Sequence, residues 1–527
     1  MTVLAARGSA GTRRWWALAA LALGLLAVGL DATVLSVALP TLAGSLHASA
    51  SDLQWFISAY TLGLAVGLLP GGLLGDRYGR KKIMLGALAM FGLGSLACAY
   101  APSAGWFIAS RAVLGLSAGF MVPLSLSVLT VMFTDEERPK AVGIWAAANF
   151  LALPAGPILG GWLLSNYWWG LVFLMNLPVV VVGLIAVAAL LPESRAEERP
   201  VLDPVGIVAS CAGLAVLVYG FIAAGQDGWT APAALAAMAG GALVLAGFVG
   251  WELRLGRQPG GQPLVDMGLF RSARFTWGTI LSGFGIFAMF GLLFAAPQFF
   301  QAIVGVNAMG SGIRLLPMMA GLAVGAGLAD QMARRIGAKI TAALGFAVLA
   351  ASLAAGATMS VTSSGTFIAG WTAVSGLGFG LALATAASAA VAELPKERAG
   401  VGSAVFQSVQ KIGAPLSAAI LGSVLSAGYL SQLHLAGLPM AAARAVRSDV
   451  FAGIAVATKL GSPQLLASVR AAFVHGIGAM LWVSAGLAVA GVVLALLFLP
   501  WRATAAKEPA GVGRLPDAGE SAHDRAA

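Results

Sequence analysis

The chain has 527 residues, 59% of them hydrophobic and only 10% charged, with 69 glycines. Soluble domains carry roughly 25% charged residues, so this chain cannot clothe a water-facing surface and reads as an all-α polytopic membrane protein. The net charge of +10 would suit nucleic acid, but the Lys and Arg lie between apolar runs, so the expected partner is a lipid bilayer and no nucleic acid.

Residues 1–14 are a short segment ending in Arg13-Arg14, superficially like the start of a signal peptide. The apolar run that follows, at about 15–39, is too long for a signal h-region and no A-x-A site follows, so a retained first span is expected. Span 1 holds Asp31, the one ionisable residue between Trp15 and Leu39. An unpaired charge near the bilayer centre costs about 2.5–3.5 kcal/mol on the insertion scale, so such an acid points to a function. Further spans are expected near 53–74, 83–101, 105–132, 140–164 and 168–191, making a six-helix bundle over 15–191. Two inserted spans, near 205–224 and 231–253, lie within 192–272. The last six fall near 274–303, 311–329, 339–358, 365–392, 399–425 and 472–499. They make a second bundle over 273–500, with a long outer loop at 426–471. The tail 501–527, rich in Ala, Gly and charge, is expected to be disordered.

Fourteen spans put both termini on one side. With that side cytoplasmic, the inside segments hold 24 of the 31 Lys and Arg, the positive-inside asymmetry of a protein of the cytoplasmic membrane. Arg444, Arg447, Lys459 and Arg470 fall in the long outer loop, and Arg111, Arg314 and Lys411 within spans. Cys98 and Cys211 both lie in apolar spans, which excludes an extracellular disulfide framework.

A repeat is visible. Gly75-Asp76-Arg77-Tyr78-Gly79-Arg80-Lys81 is echoed by Ala329-Asp330-Gln331-Met332-Ala333-Arg334-Arg335, Glu137-Arg138 by Glu397-Arg398, and Pro157 by Pro415, at offsets of 254, 260 and 258 residues. Spans 1–6 then match spans 9–14. Parallel halves of this kind place a substrate site at the midplane between them and imply rocking motions.

Gly71-Gly72-Leu73-Leu74-Gly75-Asp76-Arg77-Tyr78-Gly79-Arg80-Lys81-Lys82 allows a tight turn and close helix approach, with Asp76 beside basic partners as a conformational latch; a basic loop serving only topology is the alternative. This stretch resembles the loop signature of the major facilitator superfamily. Leu30-Asp31-Ala32-Thr33-Val34-Leu35-Ser36-Val37-Ala38-Leu39-Pro40 resembles the first-span signature of its fourteen-span drug:proton antiporters. Arg111-Ala112-Val113-Leu114-Gly115 through Gly119 resembles the fourth-span motif, whose arginine is implicated in proton handling. Leu153-Pro154-Ala155-Gly156-Pro157-Ile158-Leu159-Gly160-Gly161 resembles the fifth-span antiporter motif. The resemblance covers about residues 15–500. It implies a major facilitator fold of two six-helix bundles plus two additional central helices, exporting small amphipathic compounds, drugs or antibiotics, in exchange for protons.

The residues themselves carry part of that reading. Asp31 lies about nine residues from the outer end of span 1 and Arg111 about six from the outer end of span 4, so their depths differ by only about 5 Å. A direct or water-linked pair would load and release a proton as its surroundings change, or else simply lock spans 1 and 4 together. Pro154 and Pro157 each remove a backbone donor, and Gly156 and Gly160 offer one small face for a sliding seam or for packing alone. Lys411, midway along span 13, either meets anionic groups of a substrate or snorkels along its stem. Gln54, Trp55, Tyr60, Trp145, Asn149, Gln298 and Gln301 are candidates to line the cavity, since aromatics beside an acid suit flat cations. The second half shows almost no mid-span carboxylate: Asp330 and Glu393 sit at inner helix ends. Neutral or monocationic amphipaths therefore fit better than divalent cations.

No Walker A lysine supports ATP-driven transport, and His47, His434, His475 and His523 are too scattered for a metal or catalytic cluster, so no enzyme activity, metal or cofactor is expected. A single chain is expected to be the working unit. The alternative on the same fold is a facilitator or proton symporter for a small metabolite, against which the Pro/Gly motif of span 5 speaks. A sensor or scaffold is disfavoured by the lack of any sizeable soluble domain.

Overall fold

A computed structural model describes residues 2–134, 137–195, 203–258, 261, 263–265, 267–391, 399–435 and 438–500. Every regular element among them is helical. The first half comprises α1 (Thr2–Ser45), α2 (Ala50–Tyr78), α3 (Arg80–Ala99), α4 (Ala104–Met132), α5 (Arg138–Asn166), α6 (Leu171–Leu174) and α7 (Asn176–Leu190). Then come α8 (Pro204–Asp227), α9 (Pro232–Leu255) and a 3-10 turn at Met267–Arg271. The second half comprises α10 (Ala273–Ala302), α11 (Ala308–Arg314), α12 (Leu316–Ile336), α13 (Ala338–Ala357) and α14 (Gly365–Val391). It ends with α15 (Ala399–Ser431), α16 (Met440–Ser448), α17 (Val450–Lys459) and α18 (Pro463–Phe498). Among the described residues twelve helices are long and apolar enough to cross a membrane, or thirteen if α2, bent by 44° at Pro70, is one span.

Local sequence sets the helix ends. Ser49 and Asp52 form a reciprocal capping box at the start of α2, and Ser103, Asn307 and Ser462 cap α4, α11 and α18. Gly79 and Gly337 take φ of +116° and +86°, a region that suits glycine, and turn α2 into α3 and α12 into α13. Proline near a helix start leaves a one-residue irregularity in two spans, between α6 and α7 before Pro178 and between α11 and α12 before Pro317, yet Leu171–Leu190 and Ala308–Ile336 each remain one membrane-length helix.

Each half closes on a glycine seam. A Cβ at Gly63 or Gly67 of α2 would collide with the backbone of α4 at Ala112, Leu116 and Gly119, and one at Gly115 or Gly119 with α2 at Tyr60 and Leu64. Gly321 and Gly325 of α12 meet α14 in the same way, as do Gly376 and Gly380 of α14 with α12. Small residues let backbones approach where hydrocarbon gives no hydrophobic drive. These matched seams support the duplication but correct its register. The Gly79 and Gly337 turns are 258 residues apart, so the Asp330 echo of Asp76 is displaced by one helical turn. Glu397-Arg398 and Glu393 lie outside the described residues, as does the tail 501–527.

The inserted pair packs tightly on itself, with Gly220 against Met238 and Gly241 against Leu217. Through α8 it straddles both halves, burying Leu214, Val218 and Ile222 with Trp55 and Leu62 of α2 and Ile412 and Leu416 of α15. On α9, Leu235, Leu243, Val249 and Leu253 stay exposed, an apolar face that only a bilayer would satisfy. Asp203 caps α8 through the Gly206 amide at 3.0 Å and accepts the Trp251 indole N–H at 2.9 Å. Glu252 accepts the Val265 amide at 2.9 Å, tying down the chain that leads into the second half.

The segment 426–471, expected as a long loop, is largely helical. α15 runs on to Ser431, α16 and α17 fill the middle, and α18 starts at Pro463, whose ring suits the first helical position. Asp449 caps α17, accepting from the Phe451 and Ala452 amides at 2.7 and 2.9 Å. The polar residues Ser468 and Arg470 interrupt the apolar run without interrupting α18, so the helix begins before the apolar stretch does.

Candidate functional site

Asp31 and Arg111 meet directly. Arg111 Nη1 donates to Asp31 Oδ2 at 2.5 Å, and the two side chains are 1% and 0% exposed. The depth match read from helix rise therefore becomes a contact between α1 and α4. Arg111 Nε also donates to the Phe56 carbonyl of α2 at 3.2 Å, and its guanidinium lies 4.2 Å from the Tyr60 ring centre. Tyr60 is fixed in turn by donating its hydroxyl to the Val28 carbonyl at 3.0 Å. The second carboxylate oxygen, Asp31 Oδ1, accepts from Asn176 Nδ2 at 3.3 Å, and the same amide donates to Ser95 Oγ at 3.2 Å.

Five helices of the first half, α1, α2, α3, α4 and α7, thus converge on one buried ion pair. Asn176 and Ser95 were not singled out from the sequence. An Asn two residues before a proline in an otherwise apolar run was the only signal for the first, and nothing marked the second. The pair is enclosed in the first bundle, and its side-chain partners all come from that half. Tyr60 is removed from the cavity: the ring face that would suit a flat cation is already taken by Arg111.

The fifth-span residues tie this site to the boundary between the halves. α5 runs as one helix through Pro154 and Pro157. A Cβ at Gly156 would collide with Thr33, and one at Gly160 with Val34, two and three residues beyond Asp31 on α1. Thr33 Oγ1 lies 3.2 Å from the Ala152 carbonyl of α5. Gly161 faces the other half, its Cβ position 2.7 Å from the Ala308 carbonyl of α11, and Gly312 closes on the Pro157 carbonyl in return. The side chains of Pro154 and Asn149 lie outside the described residues.

Contacts between the halves gather at the end of the bundle that holds Val37 and Gln54. Gln301 Nε2 donates to the Val37 carbonyl at 3.1 Å, the Met309 amide to Ser165 Oγ at 3.2 Å, and Ser58 Oγ to the Pro415 carbonyl at 3.4 Å. Gln54 is buried against Gly422 and Ser423 of α15. Gln298, also buried, bonds its own helix at Phe294 and shares a small cavity with Gln54, Tyr429 and Asp449. Gln54, Gln298 and Gln301 therefore belong to the closed seam. Trp55 packs against α8, and Trp145 donates its indole N–H to Ser125 Oγ of α4 at 2.9 Å. Lys411, half-buried on α15, stands apart from all of these.

At the opposite end, Arg80 pairs with Asp76 one turn back at 2.8 Å. A Cβ at Gly79 would stand 2.5 Å from Glu193, and one at Gly75 would run into Leu124 of α4. The Arg80 amide donates to the Ser194 carbonyl at 2.9 Å, and Lys81 Nζ to the Ala188 carbonyl at 2.7 Å. Arg77 lies over the Tyr78 ring. The α2–α3 turn is thus stitched to the end of α7. Arg14 of α1 joins the same end by pairing with Glu137 at 2.7 Å. Glu137 was noted only as part of the repeat, and Glu193 was missed altogether. Among the described residues no three His, Cys, Asp or Glu side chains gather as a metal site.

The sequence profile of the Major Facilitator Superfamily matches residues 21–418. The chain is 34% identical over 496 residues to the multidrug efflux pump LfrA of Mycolicibacterium smegmatis, covering 91% of this chain and 96% of that protein. It is 33% identical over 415 residues to a tetracenomycin C resistance and export protein of Streptomyces glaucescens, covering 79% and 76%. Among solved structures it is similar to an inward-facing, unoccupied bacterial homologue of the human lysosomal transporter Spinster. That likeness has a TM-score of 0.67 at 17% identity over 92% of this chain and 96% of the other.

Proposed function

The chain belongs to the Major Facilitator Superfamily, and on that premise we propose that it is a proton-coupled antiporter exporting small amphipathic compounds by alternating access. Family and relatives make it a multi-pass membrane transporter of the efflux type; the coupling ion and the exchange are the proposal. The observation that carries it is the buried Asp31–Arg111 pair. Both carboxylate oxygens are bonded and both side chains are buried, and in this reading the joined pair marks a closed state. A proton delivered to Asp31 cancels the charge that holds Arg111, and breaking such a pair leaves a buried cation that the helices must rearrange to solvate. Because α5 packs on α1 within one turn of Asp31 and on α11 across the boundary, that rearrangement reaches the seam between the halves.

In the same proposal α5 completes fourteen spans and both termini face the cytoplasm. The bundles are those of residues 15–191 and 273–500, and Gly75, Asp76, Arg77, Gly79, Arg80 and Lys81 act as the latch at the cytoplasmic end. Asp31→Asn should remove pH-gradient-driven export while leaving the protein inserted. Everted membrane vesicles carrying each form, energised with an imposed pH gradient and followed by dye fluorescence, test this; undiminished gradient-driven export by Asp31→Asn would rule the role out.

A further inference from the structure

Lys411 lies on the face of α15 that meets the first half. Pro415, Ala418 and Gly422 follow it at the spacing of a single helical face, and each touches the first half. The Pro415 carbonyl accepts from Ser58, Ala418 packs into the first-half core, and a Cβ at Gly422 would stand 2.7 Å from the Gln54 side chain. Lys411 occupies the same stripe one turn away from that closed seam, toward the other end of the bundle. There it is half-buried and pairs with no carboxylate among the described residues.

The acid that might have offset it is spent elsewhere. Asp31 is enclosed and bonded through both oxygens, to Arg111 and Asn176. Tyr60, the aromatic nearest that acid, already carries the Arg111 guanidinium. A lipophilic cation entering between the halves would meet the Lys411 side chain with no carboxylate beside it, whereas an anion would gain a charge-assisted hydrogen bond from its ammonium form.

We propose that Lys411 sets the charge preference of the substrate cleft, and that the transporter favours amphipathic anions over the monocations expected from the sequence. This rests on the export reading above. An amphipathic anion needs an apolar wall for its body and one donor for its charged group. The half-buried Lys411 supplies that donor, and the apolar helix faces supply the wall.

The test uses three dyes in everted vesicles of the full chain: anilinonaphthalenesulfonate, its uncharged relative N-phenylnaphthylamine, and ethidium. Wild type should move the sulfonate faster than ethidium. Lys411→Gln should lower the ratio of sulfonate to neutral-dye export about tenfold, the loss of one charge-assisted contact. Lys411→Arg should keep the anion preference and Lys411→Glu should turn it toward ethidium, which separates lost charge from misfolding. An unchanged ratio in Lys411→Gln, wild-type export of ethidium at or above the sulfonate rate, or no export of either naphthalene dye would overturn the proposal. Export that ignores the pH gradient would instead count against proton coupling, while the dye ratios would still decide the role of Lys411.

Discussion

The two halves share a scaffold but not its charge. In the first, the glycine seam of α2 and α4 carries Arg111 one turn before Gly115, locked to Asp31. In the second, Gly376 and Gly380 lie 261 residues after Gly115 and Gly119, and the same shift sets Thr372 where Arg111 would be. Thr372 bonds its own helix at the Ile368 carbonyl, 2.9 Å away. Nearby, Ser352 and Ser375 share a hydrogen bond at 2.5 Å. One half thus holds a buried ion pair that must be kept matched, and at the matching place the other holds Thr372, Ser352 and Ser375, whose hydroxyls bond helix carbonyls. Duplication supplied the packing twice, while the buried ion pair, among the described residues, stands in the first half.

The largest expected effect breaks the charged half. Arg111→Ala leaves Asp31 buried without its partner and should cost about 3–5 kcal/mol, whereas Thr372→Ala loses one neutral hydrogen bond, about 1 kcal/mol. Thermal unfolding of the two variants in detergent compares them directly; equal losses would mean that the ion pair is no more than packing. The middle effect should be symmetric. Gly115→Val forces a side chain into Tyr60 and Gly376→Val into Met318, so each should cost about 1–3 kcal/mol or more by overpacking. Only Gly115→Val displaces Tyr60 beneath Arg111. Export in vesicles, normalised to folded protein, should therefore fall further for Gly115→Val than for Gly376→Val.

The smallest effect lies outside the spans. Burial pushes the Asp449 carboxyl above the usual carboxylate range, only partly offset by the Phe451 and Ala452 amides and the Ser448 hydroxyl. A carboxyl raised on folding binds its proton more tightly in the folded state. Its contribution is full below the unfolded value and is lost as pH rises through the folded one. The α16–α17 segment should therefore hold more firmly at mildly acidic than at neutral pH, and Asp449→Asn should flatten that dependence. Hydrogen exchange of the α17 amides at the two pH values measures it; an identical slope in the variant would refute the assignment.

Much of this contrast was legible in the sequence. A lone acid in an apolar run and an arginine at matching depth follow from helix rise and the cost of intramembrane charge, and those two constraints point to an Asp31–Arg111 pair without deciding between a direct and a water-linked one. Asn176 and Ser95 were not legible, because a neutral polar side chain inside an apolar helix costs little and leaves no periodic mark. The Gly79 latch was visible as a turn, but its tether to Glu193 and Ala188 joins residues more than 100 apart, which spacing along the chain does not encode. The Asp330 echo slipped by a turn because acid–base pairs four residues apart stabilise any helix end; the turn glycine fixes the register instead. Tyr60 was drawn to the cavity by its chemistry, yet the same chemistry binds it to Arg111.

The central claim is that Asp31 carries the coupled proton. The most direct measurement is proton release from purified protein in weakly buffered detergent, followed with a pH indicator as an exported dye is added. Wild type should release a proton as the dye binds, and Asp31→Asn should bind the dye and release none. Equal release from both would place the coupled proton on another group and contradict the account.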